Sequence, residues 1–210
     1  AIPAEQIYPT ADVLSALDLV LERFSTPGSP VILPTPAYMP FLTIAPARGH
    51  EVIQVPMIAG PSGRAEMDLE AIGRAFEAGA EVFILCNPHN PLGRVYSQEE
   101  LEALAVVVEA HGGLVFSDEI HAPLTFEGHH HIPYASLSEA TANHTLTATS
   151  ASKAFNIPGL KCAQLIVSSA AHQESLREVA FMVSHGSATP GVMANTVAYR
   201  AGGPWLADVL

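Results

Sequence analysis

Val82, Phe83, Ile84, Leu85 and Cys86 follow one another with no polar side chain between them. A strand that faces water on one side alternates apolar and polar residues. A strand without a polar face must be covered on both sides, which places it inside a mainly parallel sheet with helices above and below. The rest of the chain repeats that demand. Over residues 12–24, Val13, Leu14, Leu17, Val20, Leu21 and Phe24 share one helical face, with Thr10 or Asp12 as cap. Thr26-Pro27-Gly28-Ser29-Pro30 ends that helix, and a short apolar strand at 31–33 runs into Pro34-Thr35-Pro36-Ala37-Tyr38. Residues 51–55 alternate as a strand, and Asp68 caps a helix reaching about residue 78. Ser97 and Glu100 form a capping box for a helix to residue 111, which Gly112-Gly113 terminates. Strands at 114–117, 145–148 and 163–167, then helices at 170–182 and from 189 to 201, complete the order. Helix and strand in alternation with short connections predict an α/β fold: one mainly parallel sheet sandwiched by helices, without internal repeats.

Charge and cysteine content narrow the partners. Nine Lys and Arg against 21 Asp and Glu give a net charge of −12 over 210 residues, which repels nucleic acid and anionic membrane surfaces. An anionic ligand must then be held by a local pocket. Cys86 and Cys162 lie in apolar runs and are too few for a disulfide framework, so they read as buried thiols of a cytoplasmic protein. The chain has no initiator Met and ends inside an apparent helix, so it reads as part of a longer polypeptide.

The unusual polar residues fall where predicted strands end, the edge at which open α/β sheets bind ligands. Asn90 follows the 82–86 strand, Asp118 the 114–117 strand, and Lys153 the 145–148 strand. A partly desolvated lysine forms an imine with a carbonyl; a carboxylate beside a pyridine nitrogen keeps the ring protonated; an amide donor stabilises a phenolate. Tyr38 offers an aromatic face for stacking. The free N–H groups at the start of the first helix, around Asp12 and Val13, suit a phosphate, provided Asp12 turns its carboxylate onto its own helix. Ser150, Ser152 and Lys161 add donors. His129-His130-His131 reads as a solvated loop, because consecutive side chains diverge, and no metal site is expected.

Asn87-Pro88-His89-Asn90-Pro91-Leu92-Gly93, Ser117-Asp118-Glu119-Ile120-His121 and Ser150-Ala151-Ser152-Lys153-Ala154-Phe155-Asn156 together resemble the pyridoxal-phosphate enzymes of fold type I, the class I/II aminotransferase superfamily. His121 after Asp-Glu-Ile, and Phe155-Asn156 after the lysine, resemble its cystathionine β-lyase (C–S lyase) branch. The resemblance implies a seven-stranded-type large domain over residues 1–190, with residues 191–210 leading towards a small domain beyond. It implies pyridoxal 5'-phosphate bound by Lys153 as imine, Asp118 on the ring nitrogen, Asn90 on the ring oxygen and Tyr38 against the ring. Ser150, Ser152 and Lys161 would lie on the phosphate, Lys161 standing where many relatives have arginine, and His121 near the ring oxygen. An amino-acid substrate and a homodimer are implied with it. The activity implied is cleavage of cysteine S-conjugates to thiol, pyruvate and ammonia; the alternatives are an aminotransferase or a truncated, non-catalytic fragment.

Overall fold

The computed structural model describes residues 2–60 and 63–210. In chain order the elements are β1 (Ile7–Thr10), α1 (Val13–Phe24), β2 (Val31–Thr35), α2 (Phe41–Ala47), β3 (Val52–Pro56), β4 (Ile58–Ala59), β5 (Ala65–Glu66), α3 (Leu69–Glu77) and β6 (Val82–Cys86). They continue with α4 (Gln98–His111), β7 (Leu114–Asp118), α5 (Glu139–His144), β8 (Thr145–Thr149), β9 (Ala163–Val167), α6 (Ala170–Leu176), α7 (Ala180–Ser184), α8 (Thr189–Ala201) and α9 (Gly203–Val209).

Seven strands form one sheet in the order β1-β9-β8-β7-β6-β2-β3; β4 and β5 make a separate hairpin. The pairs from β8 through β3 are parallel, whereas β9 runs antiparallel to both β8 and β1. As the apolar run requires, β6 is buried along its whole length. Val82, Ile84 and Cys86 join the core under α1 and α2, while Phe83 and Leu85 join the core under α3 and α4. The two-residue period of the strand thus feeds two helix layers.

Strand direction decides where the polar residues meet. The carboxyl ends of β1, β2, β6, β7 and β8 share one edge, and because β9 is reversed, its beginning lies there too. Lys161 and Cys162 precede β9 and so reach the edge where Asp118 and Lys153 stand.

Several elements depart from the sequence reading. β1 carries Pro9, which weakens any strand signal; its edge position, paired only with β9, tolerates the missing N–H. α2 is short, with Pro40 at its cap and Pro46 inside. The single helix expected over residues 170–182 is two, α6 and α7. No breaker residue separates them. Leu176 is buried and Val179 packs against the core, whereas Phe181 and Met182 are each 70% exposed, so the chain breaks to bury the former pair. No helix among the described residues is long and apolar enough to cross a membrane.

Candidate functional site

A cavity of about 190 Å³ opens at the carboxyl edge of the sheet. Asp12, Val13, Tyr38, Asn90, Asp118, His121, Ser150, Ser152, Lys153 and Lys161, every residue singled out from the sequence, line it. They come from five separate strand ends and a helix start, up to 149 positions apart in the case of Asp12 and Lys161.

The helix start is organised by Asp12. Its Oδ1 accepts from the Ser15 N–H and hydroxyl, both at 2.8 Å, and its Oδ2 receives Lys161 Nζ at 2.9 Å. Burial opposes ionisation of Asp12, but the Ser15 N–H and Lys161 outweigh it and hold the carboxyl below its usual range. With the carboxylate turned onto Ser15, the Val13 and Leu14 N–H groups have no protein acceptor among the described residues. Both residues line the cavity, which makes these N–H groups candidate anion donors. Lys161 adopts a left-handed conformation, φ 49°, which costs a non-glycine residue on the order of 1 kcal/mol and is a recurrent feature of functional sites.

Asp118 is buried at the end of β7, and its one side-chain hydrogen bond among the described residues comes from the Ile120 N–H at 3.1 Å. Burial lifts its carboxyl to about 7; the Ile120 N–H and Lys153 draw it down, and Glu119 pushes it up. Cys86, paired with Asp118 in the sheet register, lines the same cavity. Burial, then Asp118, pushes its thiol up to about 12, so it stays protonated and inert at neutral pH. Tyr38 stands edge-on to Phe41, ring centroids 5.6 Å apart.

Two expected side chains differ in detail. Lys153 is exposed rather than partly desolvated, because the turn carrying it follows β8 into solvent at the cavity rim. The Ser150 hydroxyl donates to the Cys162 carbonyl at 2.7 Å and accepts from the Ser152 N–H at 3.0 Å. Its proton is therefore already used in shaping the turn. The turn is further tied from outside: Asn195 Oδ1 on α8 accepts from the Ala151 N–H at 3.0 Å, and Asn195 Nδ2 donates to the Gly191 carbonyl at 2.9 Å.

The histidine run is not a solvated loop throughout. His129 and His130 are exposed, but His131 Nε2 lies 3.0 Å from Glu119 Oε2, both side chains more than nine-tenths buried. Glu119 Oε1 also accepts from the Ser117 hydroxyl and the Tyr134 N–H. A buried glutamate needs such partners. Glu119, an acid immediately after β7 and buried there, is the residue from which an inward-turned histidine could have been anticipated.

Fold and cavity together define a class: an α/β protein with a mainly parallel sheet whose cavity, at the strand ends, is lined by Lys153 and Lys161. The particular family follows from its sequence. The family model of aminotransferase class I and II matches residues 7–201, and the chain belongs to that family. It is 37% identical to a cystathionine beta-lyase of Corynebacterium glutamicum, an alignment covering 96% of this chain and 53% of that protein. It is 34% identical to the cystathionine beta-lyase PatB of Bacillus subtilis, covering 98% and 54% respectively. Among solved structures, the PLP-bound C-S lyase from Staphylococcus hominis superposes with a TM-score of 0.90 at 28% identity, over 99% of this chain and 52% of that one. The chain spans about half the length of the curated relatives it matches.

Proposed function

We propose that the whole protein is a pyridoxal-phosphate-dependent carbon–sulfur β-lyase of the cystathionine β-lyase kind, which cleaves cysteine S-conjugates to thiol, pyruvate and ammonia. The observation that carries this reading is the convergence of Lys153, Asp118, Asn90 and Tyr38 on one cavity, beside unpaired helix N–H groups and Lys161. The donor set fits the cofactor. A buried carboxyl with a single N–H donor suits a cationic ring nitrogen, and the α1 start with Lys161 suits a phosphate.

When bound, pyridoxal 5'-phosphate supplies an aldehyde that condenses with amines and a ring that withdraws electrons from the adjacent carbon. Lys153 Nζ would hold the group through its aldehyde carbon and is the base placed to take a proton from a substrate Cα. Asp118 would keep the ring nitrogen protonated, its carboxylate favoured by the opposite charge beside it. Asn90 would donate to the ring oxygen, His121 would stand beside it, and Tyr38 would offer its face to the ring. The Val13 N–H, the Asp12 helix start, Ser152 and Lys161 would cradle the phosphate, and Ser150 would join them by turning its hydroxyl away from the Cys162 carbonyl. The chemistry the group would supply there ends in release of the β-thiol, with water converting the remaining three-carbon amine to pyruvate and ammonia.

Residues 1–190 serve in this reading as the large, cofactor-binding domain, and residues 191–210 lead towards the remainder. The boundary falls in the first turn of α8. We also propose a cytoplasmic homodimer. Exposed Phe181, Met182, Met193 and Val197, each more than 60% accessible, support an interface on α7 and α8.

The test is an absorption spectrum of the whole protein with added pyridoxal phosphate, borohydride reduction, peptide mapping, and a pyruvate assay. The expected result is a reduced adduct on Lys153 and pyruvate release from a cysteine S-conjugate without a keto-acid acceptor. Release that depends on an acceptor would replace the lyase with the aminotransferase reading, and an adduct scattered over other lysines would remove the site.

A further inference from the structure

A second hollow, of about 660 Å³, adjoins the first and shares Asn90 and His121 with it as a common wall. Its lining inverts the charge of the chain. Against 21 acidic residues and nine Lys and Arg overall, it contains Arg64, Arg94, His89, His121 and His129 and no carboxylate. Not all of these are free to meet a ligand. The Arg94 guanidinium binds both Glu100 carboxylate oxygens at 2.6 Å and lies 4.7 Å over the Tyr96 ring, so it belongs to the wall. Burial, with Arg94 beside it, lowers the His89 imidazole to about 4 and leaves it neutral. Arg64, in contrast, is exposed and joins no ion pair among the described residues, and His129, which lines the same hollow, is exposed as well. Leu92 and Phe126, 38% and 66% accessible, add apolar lining to the same hollow.

A substrate held at its Cα beside Lys153 must send its sulfur substituent out of the smaller cavity. We propose that the second hollow receives that substituent, and that Arg64, with His129, selects conjugates whose leaving thiol ends in a carboxylate. This rests on the C–S lyase reading. The apolar lining matches a short methylene chain, and the absence of lining acids makes the subsite attractive to an anion in a molecule that otherwise repels one.

The test compares S-(2-carboxyethyl)-L-cysteine with the neutral isostere S-(3-methylbutyl)-L-cysteine on the whole holoenzyme. For a solvent-accessible charge pair, kcat/KM is expected to favour the carboxylate by roughly five-fold, with the preference shrinking as salt is added. Arg64→Met brings the ratio near unity and Arg64→Lys retains most of it. The same pair is titrated calorimetrically onto the Lys153→Ala protein, where binding is read without turnover. Equal affinity for the two conjugates, or a preference that Arg64→Met leaves in place, overturns the subsite. If neither conjugate is cleaved yet the carboxylate binds more tightly in an Arg64-dependent way, the subsite stands and the lyase reading falls. Cleavage of both without preference has the opposite meaning.

Discussion

A carboxylate removed from water with one backbone donor for company loses more hydration than that donor returns. Asp118 is in this position, and its carboxyl rises to about 7. An unfolded aspartate titrates near ~3.9, so between that value and 7 the folded chain binds the proton more tightly. Stability contributed by this group is therefore present at acid pH and declines as pH rises through 7. Asp118→Asn is expected to stabilise the cofactor-free protein at pH 8 by on the order of 2–4 kcal/mol, and by almost nothing at pH 4. Urea midpoints at the two pH values check this. The same substitution should lower C–S cleavage by about 100-fold or more, since the ring nitrogen loses its partner. A site residue that costs stability until its ligand arrives is the usual trade between function and folding.

At the scale of elements, α8 is the part that holds the lysine turn in place. Gly191 lies so close to the 158–162 segment that an added Cβ would stand 2.0 Å from the Leu160 carbonyl oxygen and 3.0 Å from Cys162 Cβ. Asn195, one turn further on, is buried and clamps the Ala151 N–H. Asn195→Leu leaves that N–H without an acceptor, at an expected cost of about 1–3 kcal/mol. Gly191→Ala forces helix and loop apart, at a similar cost of about 1–3 kcal/mol. Both variants should melt earlier and bind pyridoxal phosphate more weakly, measured by thermal denaturation and by titration of the absorption band. A loss of stability with undiminished cofactor affinity would mean that the clamp serves folding alone.

For the molecule as a whole, the proposed reading makes the cofactor a ligand of the folded state only, because the cavity draws on five strand ends that are apart in the unfolded chain. Pyridoxal phosphate at 100 times its dissociation constant should therefore stabilise the protein by about 2.7 kcal/mol, seen as a melting temperature that climbs with cofactor concentration. Lys153→Ala is expected to flatten that climb. A melting curve indifferent to the cofactor would separate this cavity from the cofactor altogether.

Much of this was legible in the chain itself. The unbroken apolar run at Val82–Cys86 demanded two covered faces, and β6 has them. Asp12, Asp68 and Ser97 announced helix starts, and each caps the helix it precedes. Such signals are local: a cap or a period is settled within a few residues, where the chain's own chemistry dominates. The motifs around Asn90, Asp118 and Lys153 pointed to the candidate cavity for the same reason, each lying at or shortly after a strand end. What only the tertiary structure decided involves residues distant in sequence. The reversal of β9 brings Lys161 to Asp12, Glu119 draws His131 inward, Asn195 reaches Ala151, and the loops around Asn90 and His121 enclose a second hollow. No local preference encodes these contacts, because a buried polar group takes whichever partner the packed layers bring within hydrogen-bond distance.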